Sequence, residues 1–251
     1  MRPDASKKIA AAAPKKGPNP VIIGAVIAAV VIVAVVVAIV IGSSGKSDGT
    51  GASGQPSGAV ASDAGGILAN SSPAKSNAPT LDLYEDFQCP NCGQFEKAVG
   101  PTITTMVNAG EAKLIVHTLT FLDDNLKNDS SKRSANAVAC AADAGKFLEY
   151  HAAVFAAQPA QEGAGYTDAQ IAEFATTAGI TGPPLTTWQT CTSSNQHAQY
   201  VLDTQTAAEK AGVNSTPTVK LNGKDITQTL PYPFGPATAE ALVAQIKAAT
   251  K

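Results

Sequence analysis

Two cysteines with two residues between them, Cys89 and Cys92, are the side chains of this sequence best suited to chemistry. Thiols at this spacing bind zinc, form an inert bridge or exchange a disulfide with other thiols. A structural zinc site commonly takes a second short pair, whereas Cys140 and Cys191 lie 51 residues apart. The sequence therefore indicates a redox pair, with an inert bridge as the alternative, and predicts no metal site and no cofactor.

The surrounding sequence would place this pair at the start of a helix. Pro90 suits a first helical turn, and apolar residues then recur at helical intervals, namely Phe95, Val99, Ile103 and Met106. Cys89 would occupy the cap position, where unpaired backbone N–H groups and the helix dipole lower the pKa of a thiol. We expect Cys89 to be the nucleophile and Cys92 to be the more buried, resolving thiol.

The rest of the folded sequence predicts an α/β frame. Between about residues 124 and 210 the apolar residues follow helical spacing only, which indicates an inserted α-helical block. Strand candidates lie on both sides of that block, at Leu81 to Phe87, 112–119, 217–221 and 225–227. The last two flank Asn222-Gly223, a strong hairpin signal, and a closing helix is predicted at 238–249.

The N-terminal part contains an uncharged, apolar run at residues 21–41, which as a helix would span roughly 30 Å, the thickness of a bilayer core. The run is longer than the core of a cleaved signal peptide, and no Ala-x-Ala site follows directly, so an uncleaved anchor is favoured. Cations precede it, which places the N-terminus in the cytoplasm. The predicted order is a tail (1–20), a transmembrane anchor (21–41), a flexible Gly/Ser/Ala linker (42–78) and an extracytoplasmic domain (79–251).

The charge balance argues against nucleic acid as a partner. Of 18 cations and 20 anions, five cations and one anion precede Val21, which leaves 13 and 19 and a net charge of −6 for the remainder. A mildly acidic body offers no basis for a phosphate-binding surface.

The second cysteine pair, Cys140 and Cys191, lies within the predicted helical insertion. Outside the cytoplasm an even cysteine count favours pairing, and these are the two cysteines left. A structural disulfide is the favoured interpretation; a redox shuttle to the first pair and two free thiols are the alternatives.

Several polar or aromatic residues are assigned no chemistry. His151, on a predicted helical face, and His117, on the second strand, are expected to be core or rim residues. Trp188 is expected to pack in the interior, and Asp123-Asp124 is expected to be a solvated loop or a helix cap rather than a metal site.

Three sequence features together resemble the DsbA-like thioredoxin family, especially its membrane-anchored actinobacterial members. They are Cys-Pro-Asn-Cys at 89–92, Tyr-Glu-Asp-Phe-Gln directly before it, and Thr216-Pro217-Thr218 before a late strand. The resemblance covers about residues 79–251 and implies a thioredoxin fold with a helical insertion. It also implies a cis bond between Thr216 and Pro217 in a loop facing Cys89, with Thr216 backbone pairing to an extended substrate segment.

The resemblance implies an enzyme that introduces disulfides into unfolded exported proteins and is recycled by a quinone-linked membrane oxidase. A reductase or isomerase using the same cysteines, and a non-catalytic binding module, are the alternatives. Two residues depart from the family pattern. Asn91 replaces a histidine, which would weaken stabilisation of the thiolate, and Leu83, flanked by Asp82 and Glu85, stands where relatives carry a buried glutamate that assists proton transfer.

Overall fold

The computed structural model describes residues 54–60, 65–70 and 72–250. Its centre is a five-stranded sheet in the order β1-β3-β2-β4-β5. The central strand β2 runs parallel to β3 and antiparallel to β4, and β1 and β5 pair antiparallel at the two edges. The strands are Ile67–Leu68 (β1), Thr80–Glu85 (β2), Lys113–Thr118 (β3), Thr218–Leu221 (β4) and Lys224–Asp225 (β5).

Helix α1, Pro90–Asn108, connects β2 to the parallel strand β3. Side chains of β2 alternate between the two faces of the sheet, as in any strand. Leu81 and Leu83 belong to the large core that includes the buried face of α1, whereas Tyr84 joins a smaller apolar cluster on the other side. This strand–helix–strand unit is the predicted one, except that β2 ends at Glu85 rather than at Phe87.

The helical insertion follows β3 and contains six helices. Its first helix begins at Phe121 and its last ends at Lys210. The α/β class with inserted helices is therefore confirmed. The six helices are Phe121–Leu126 (α2), Ser130–Asp143 (α3), Phe147–Ala156 (α4), Asp168–Thr177 (α5), Pro183–Ser193 (α6) and Ala198–Lys210 (α7).

The interior of the insertion is built around α3, which contacts α4, α6 and α7. Its alanine-rich sequence lets neighbouring helices approach closely. A disulfide joins Cys140 of α3 to Cys191 of α6, with a Cα–Cα distance of 5.9 Å. Trp188 is buried, as predicted, and its Nε1 donates a hydrogen bond to the carbonyl of Ala137 at 3.0 Å.

The C-terminal part returns to the sheet through β4 and the hairpin at Asn222-Gly223, where φ is 49° and 79°. The return strand β5 is shorter than the predicted 225–227. The Thr227 N–H donates to Asp225 Oδ1 at 2.8 Å, and a short 3-10 turn, Thr227–Thr229, begins there. Helix α8, Pro236–Ala249, closes the chain and packs on α1.

The boundary predicted between linker and domain, after residue 78, is too late. Ile67 is buried and lies in β1, whose two residues pair with β3. The Ser57 N–H donates to Asp143 Oδ1 at 2.7 Å, and His197 Nδ1 lies 3.1 Å from the Gly54 carbonyl. Low-complexity composition concealed these contacts because they depend on partners far along the chain.

The predicted tail and anchor, residues 1–41, lie outside the described residues. Within 54–60, 65–70 and 72–250, no helix combines the length and apolar character needed to cross a bilayer.

The assignments of the set-aside polar residues are confirmed in most respects. His117 and His151 are both buried. Asp124 is exposed, as expected, whereas Asp123 is buried and accepts the backbone N–H groups of Ser131 and Lys132 at the start of α3. Asp123 therefore acts as a cap.

Removing the bridge between α3 and α6 should destabilise the domain. Because it closes a loop of about 50 residues, we expect the double variant Cys140→Ala, Cys191→Ala to lose about 2–4 kcal/mol of unfolding free energy. Guanidinium unfolding without reductant measures this, with Cys89→Ala as the control that retains the bridge. An unchanged transition midpoint would contradict a structural role.

Candidate active site

The reactive pair lies at the connection between the end of β2 and the start of α1. Cys89 is the N-cap residue of α1 with extended backbone, and Pro90 occupies the first helical turn, so the helix has the predicted start. The Cys89 N–H donates to the Asp86 carbonyl at 2.9 Å, which closes the turn after the strand. Both thiols are free; Cys89 retains 8% of its exposure and Cys92 none.

The two thiols differ in their electrostatic surroundings. The Cys92 S–H donates to the Cys89 sulfur, and this hydrogen bond contributes most to lowering the Cys89 pKa to about 6. The backbone N–H groups of Cys92 and Asn91 lower the Cys89 pKa further, whereas burial raises it. Burial above all raises the Cys92 pKa well above 9. Near neutral pH the pair therefore holds one thiolate, on Cys89, and one proton, on Cys92.

Asn91 contributes to this thiolate through its backbone N–H. Replacement of histidine by asparagine removes a positive charge, but it leaves the helix-start N–H groups in place. These N–H groups would be present beside a histidine as well, so the weaker stabilisation of the thiolate expected from the sequence stays a prediction.

The loop before β4 meets Cys89 from the other side. The peptide bond between Thr216 and Pro217 is cis. Cys89 Sγ lies 3.4 Å from the Thr216 carbonyl oxygen and donates to it when Cys89 is protonated. This contact joins positions 127 residues apart. Thr216 is partly exposed while Pro217 is buried, so the loop presents its threonine next to the reactive sulfur.

A buried carboxyl group lies beneath the pair, although not at the position where relatives have it. Leu83 is buried in the apolar core, and Asp82, on the opposite face of β2, pairs with His117 at 3.2 Å. Glu85 is two residues after Leu83 and so lies on the same face of the strand, nearer the cysteines. Burial, followed by the charge of Cys89, raises the Glu85 pKa well above 4.5.

Comparison with known proteins identifies the family of this chain. A family model described as thioredoxin matches residues 74–248. The disulfide bond oxidoreductase DsbG of Mycobacterium tuberculosis, in its reduced form, is 33% identical over 70% of this chain and 81% of its own, with a TM-score of 0.55. The chain belongs to the DsbA-like thiol–disulfide oxidoreductases of the thioredoxin family.

Two further solved structures show the same relationship. DsbA from Mycobacterium tuberculosis is 32% identical, covering 70% of this chain and 85% of its own, with a TM-score of 0.55. MdbA from Actinomyces oris covers 79% of this chain and 93% of its own with a TM-score of 0.65; at 20% identity it supports the fold alone. The thioredoxin fold and the family predicted from the sequence are thereby confirmed.

Among curated proteins, the serine/threonine-protein kinase PknE of Mycobacterium tuberculosis is 31% identical over 121 residues. These residues make up 45% of this chain and 21% of the kinase. The chain thus matches about a fifth of that relative's length.

Two polar residues of the insertion, Gln158 and Tyr166, hold the loop of residues 86–89 that leads to the redox pair of this oxidoreductase. Neither residue was predicted from the sequence. Gln158 Nε2 donates to the carbonyls of Phe87 and Cys89, each at 2.9 Å. The Tyr166 hydroxyl donates to the Phe87 carbonyl at 3.0 Å. Both lie in irregular segments after α4, about 70 and 80 residues beyond their acceptors, so no local pattern could reveal them.

Gly93, directly after the second cysteine, lets Gln158 come this close. A Cβ at residue 93 would collide with Gln158 Oε1. The glycine therefore matters for the fit between α1 and the insertion.

A second anchor of the loop is the buried carboxylate of Asp86. Its Oδ1 accepts the Ser131 hydroxyl at 2.6 Å and the Gln88 N–H at 2.9 Å, and its Oδ2 accepts the Leu122 N–H at 3.2 Å. Burial raises the Asp86 pKa to about 7. These contacts tie the residue before Phe87 to α2 and α3.

Alkylation should reveal the low pKa of Cys89. We expect the rate of reaction of the reduced domain with iodoacetamide to rise with pH around a midpoint near 6. In the Cys92→Ala variant that midpoint should move up towards 9, because the donor with the largest effect on the Cys89 pKa is removed. A free peptide with the same four residues is the control. Equal midpoints for domain and peptide would refute the stabilised thiolate.

Proposed function

We propose that this protein works outside the cytoplasm and introduces disulfides into unfolded exported proteins through Cys89 and Cys92. The observation that carries the proposal is the unequal pair: a helix-start sulfur stable as a thiolate beside a fully buried thiol that holds its proton. Stabilising the Cys89 thiolate stabilises the reduced protein, which makes the disulfide a better oxidant.

The exchange would proceed in two steps. A substrate thiolate attacks Cys89 Sγ of the Cys89–Cys92 disulfide, a new S–S bond forms, and the electron pair of the broken bond goes to Cys92 Sγ. Cys92 then takes up a proton because burial disfavours its thiolate. A second substrate thiolate attacks the substrate sulfur of the mixed disulfide, releasing the oxidised substrate and Cys89 as a thiolate.

The loop at Thr216-Pro217 is the proposed site where the substrate backbone binds. Thr216 is partly exposed, and its carbonyl faces Cys89. Pairing of an extended substrate segment with this backbone would position a substrate cysteine without demanding a particular sequence. Unfolded chains of many sequences could then be oxidised.

Localisation and recycling are part of the proposal. The apolar run at residues 21–41 would anchor the protein in the cell membrane as a single-pass protein with a cytoplasmic N-terminus. The bridge between Cys140 and Cys191 fits an oxidising compartment. Reoxidation of the reduced pair would fall to a quinone-linked oxidase in the same membrane.

The opposite direction of electron flow, disulfide reduction or isomerisation, is the second candidate. The absence of a positive charge at Asn91 favours a less oxidising pair than histidine would give.

The reoxidation of reduced, unfolded ribonuclease tests the activity. We expect the domain to accelerate recovery of ribonuclease activity in a glutathione buffer, and Cys89→Ser to return the rate to the uncatalysed one. The Cys140→Ala, Cys191→Ala variant, assayed below its unfolding temperature, is the matched control and should retain activity. Equal rates for parent and Cys89→Ser would refute the enzyme; loss in the control would instead support a shuttle between the two pairs.

The reduction potential of the Cys89–Cys92 pair decides the direction. Equilibration with glutathione should give a value at or above about −180 mV, that of protein disulfide isomerase, if the protein is an oxidase. A value near about −270 mV, that of thioredoxin, would overturn the oxidase and favour the reductase.

A further inference from the structure

Three titratable side chains from three different elements lie in a row beneath the redox pair. His151 of α4 stands in the middle, with its Nε2 at 2.9 Å from Glu85 Oε2 and its Nδ1 at 3.9 Å from Glu96 Oε2. Glu85 ends β2, and Glu96 lies on the second turn of α1. The imidazole is thus within hydrogen-bond distance of Glu85 through Nε2, whereas its Nδ1 faces the Glu96 carboxyl group across a gap that one water molecule can bridge.

The inner end of this row is sealed and incompletely hydrogen-bonded. Glu85 is 1% exposed, and among the described residues its Oε1 has no hydrogen-bond partner. An unsatisfied buried carboxyl oxygen is costly and needs a reason. Since Oε2 is held by His151, Oε1 is the atom left free to exchange a proton with a neighbouring group.

The outer end reaches solvent through a groove of about 990 Å³ between α1 and α4. Glu96 and His151 both line it, and 11% of the Glu96 side chain is exposed. Among the described residues lining this groove, the other charged group is Lys97. The aromatic rings of Phe87, Phe147 and Phe155 pack around the imidazole of His151.

The proposed exchange requires a proton to be delivered to or removed from Cys92 Sγ, which water does not reach, and the three side chains could provide that route. Cys92 is fully buried, and the Glu85 charge helps to raise its pKa. Each time Cys92 leaves as a thiolate, a proton must arrive; each time it attacks, one must depart.

We propose that Glu85, His151 and Glu96 form a proton relay that connects the buried Cys92 thiol to the groove between α1 and α4. Glu85 exchanges the proton with Cys92. His151 and Glu96 are positioning residues that return a proton to the Glu85 carboxyl group or take one from it. The inference rests on the proposed thiol–disulfide exchange but holds for either direction of electron flow.

The step balances as follows for disulfide reduction. As the Cys89–Cys92 bond breaks, Cys92 Sγ receives the electron pair and takes the proton of Glu85. The Glu85 carboxylate takes the Nε2 proton of His151. His151 Nδ1 takes the proton of Glu96 through a bridging water molecule, since the two atoms lie 3.9 Å apart. Water in the groove then reprotonates Glu96. In total one proton enters from the groove, and His151 ends as a neutral imidazole with a single ring proton.

The protonation states of the row agree with this direction of transfer. Burial lowers the His151 pKa, so the ring is neutral and carries one proton. Burial, followed by the charge of Glu85, raises the Glu96 pKa to about 8, so Glu96 holds a proton at neutral pH. Glu96 is therefore a donor below about pH 8 and loses that capacity above it.

The same three residues could also attract a metal ion, since one ligand atom from each lies within 4.8 Å of the others. The relay fits better. His151 directs different nitrogens at the two carboxyl groups, whereas a single ion would take only one nitrogen. A cation would also demand that both buried carboxyl groups lose their protons.

Glu96→Gln tests the relay with little risk to folding, because the side chain is at the groove and glutamine has the same shape. We would follow a single turnover, the reduction of the oxidised domain by a small thiol, across about pH 6 to 9. The parent should be about tenfold faster than Glu96→Gln at the acid end, since assistance by a positioned acid is lost. The ratio should fall towards one as pH rises through about 8.

Glu149→Gln is the matched control. Glu149 lies on α4 like His151, but it is half exposed and pairs with Lys146 at 2.9 Å outside the row. Its pH profile should follow that of the parent. The Cys89 alkylation midpoint should stay near 6 in both variants, because Glu96 is not among the groups that lower the Cys89 pKa.

Three outcomes would overturn the relay. They are a ratio of parent to Glu96→Gln that does not change with pH, an effect of Glu149→Gln equal to that of Glu96→Gln, and a parent rate altered by removing metal with a chelator. The last would assign the row to a cation. If the parent protein turns over and Glu96→Gln shows the same pH profile as the parent, the relay is rejected but the proposed function stands. If the parent shows no turnover that depends on Cys89, the proposed function itself is rejected.

A double-variant cycle gives an independent check. If His151 and Glu96 act in one path, His151→Gln and Glu96→Gln should each cost the same rate at the acid end, and the double variant should cost no more. Multiplied effects in the double variant would show that the two residues act separately and would overturn the relay.

Discussion

The start of α1 against the sulfur of Cys89 is the interaction on which the rest of this structure depends. Backbone N–H groups at a helix start lack intrahelical partners, and here those of Asn91 and Cys92 stabilise a thiolate. The buried S–H of Cys92 adds the strongest of these hydrogen bonds. The other free sulfur, that of Cys92, has a raised pKa because it is buried, so the strand, turn and helix serve to hold the Cys89 sulfur at the helix end.

The helical insertion contributes side chains that hold the active-site loop in place. Gln158 and Tyr166 bind the carbonyls that flank the first cysteine, and Asp86 ties the same loop to α2 and α3. Helix α4 also closes over Glu85 and supplies His151. Water is thereby kept from Cys92, and that exclusion separates the behaviour of the two thiols.

The sequence was informative wherever the physics is local. Cys89-Pro90 marks a helix start, Asn222-Gly223 marks a hairpin, and the spacing of Phe95 and Val99 marks a buried helix face, and all three are found. Contacts between distant positions were not accessible in this way. The pairing of Ile67 with β3 was missed within a Gly/Ser-rich stretch, and Glu85 was left without a role because its meaning depends on His151, 66 residues later. The alternation of a strand could have indicated that Glu85 shares a face with Leu83.

Thr216, which contacts the reactive sulfur, lies 127 positions after Cys89, and most of the chain between them belongs to the insertion. Closing so long a loop is entropically unfavourable until the intervening helices have packed. A chain that emerges N-terminus first would therefore expose its Cys-Pro-Asn-Cys segment well before the partner loop is synthesised. In such a partial chain the helix start could form, but neither the Thr216 contacts nor the cover over Cys92 would exist. Full stabilisation of the Cys89 thiolate is in this sense a property of the finished chain.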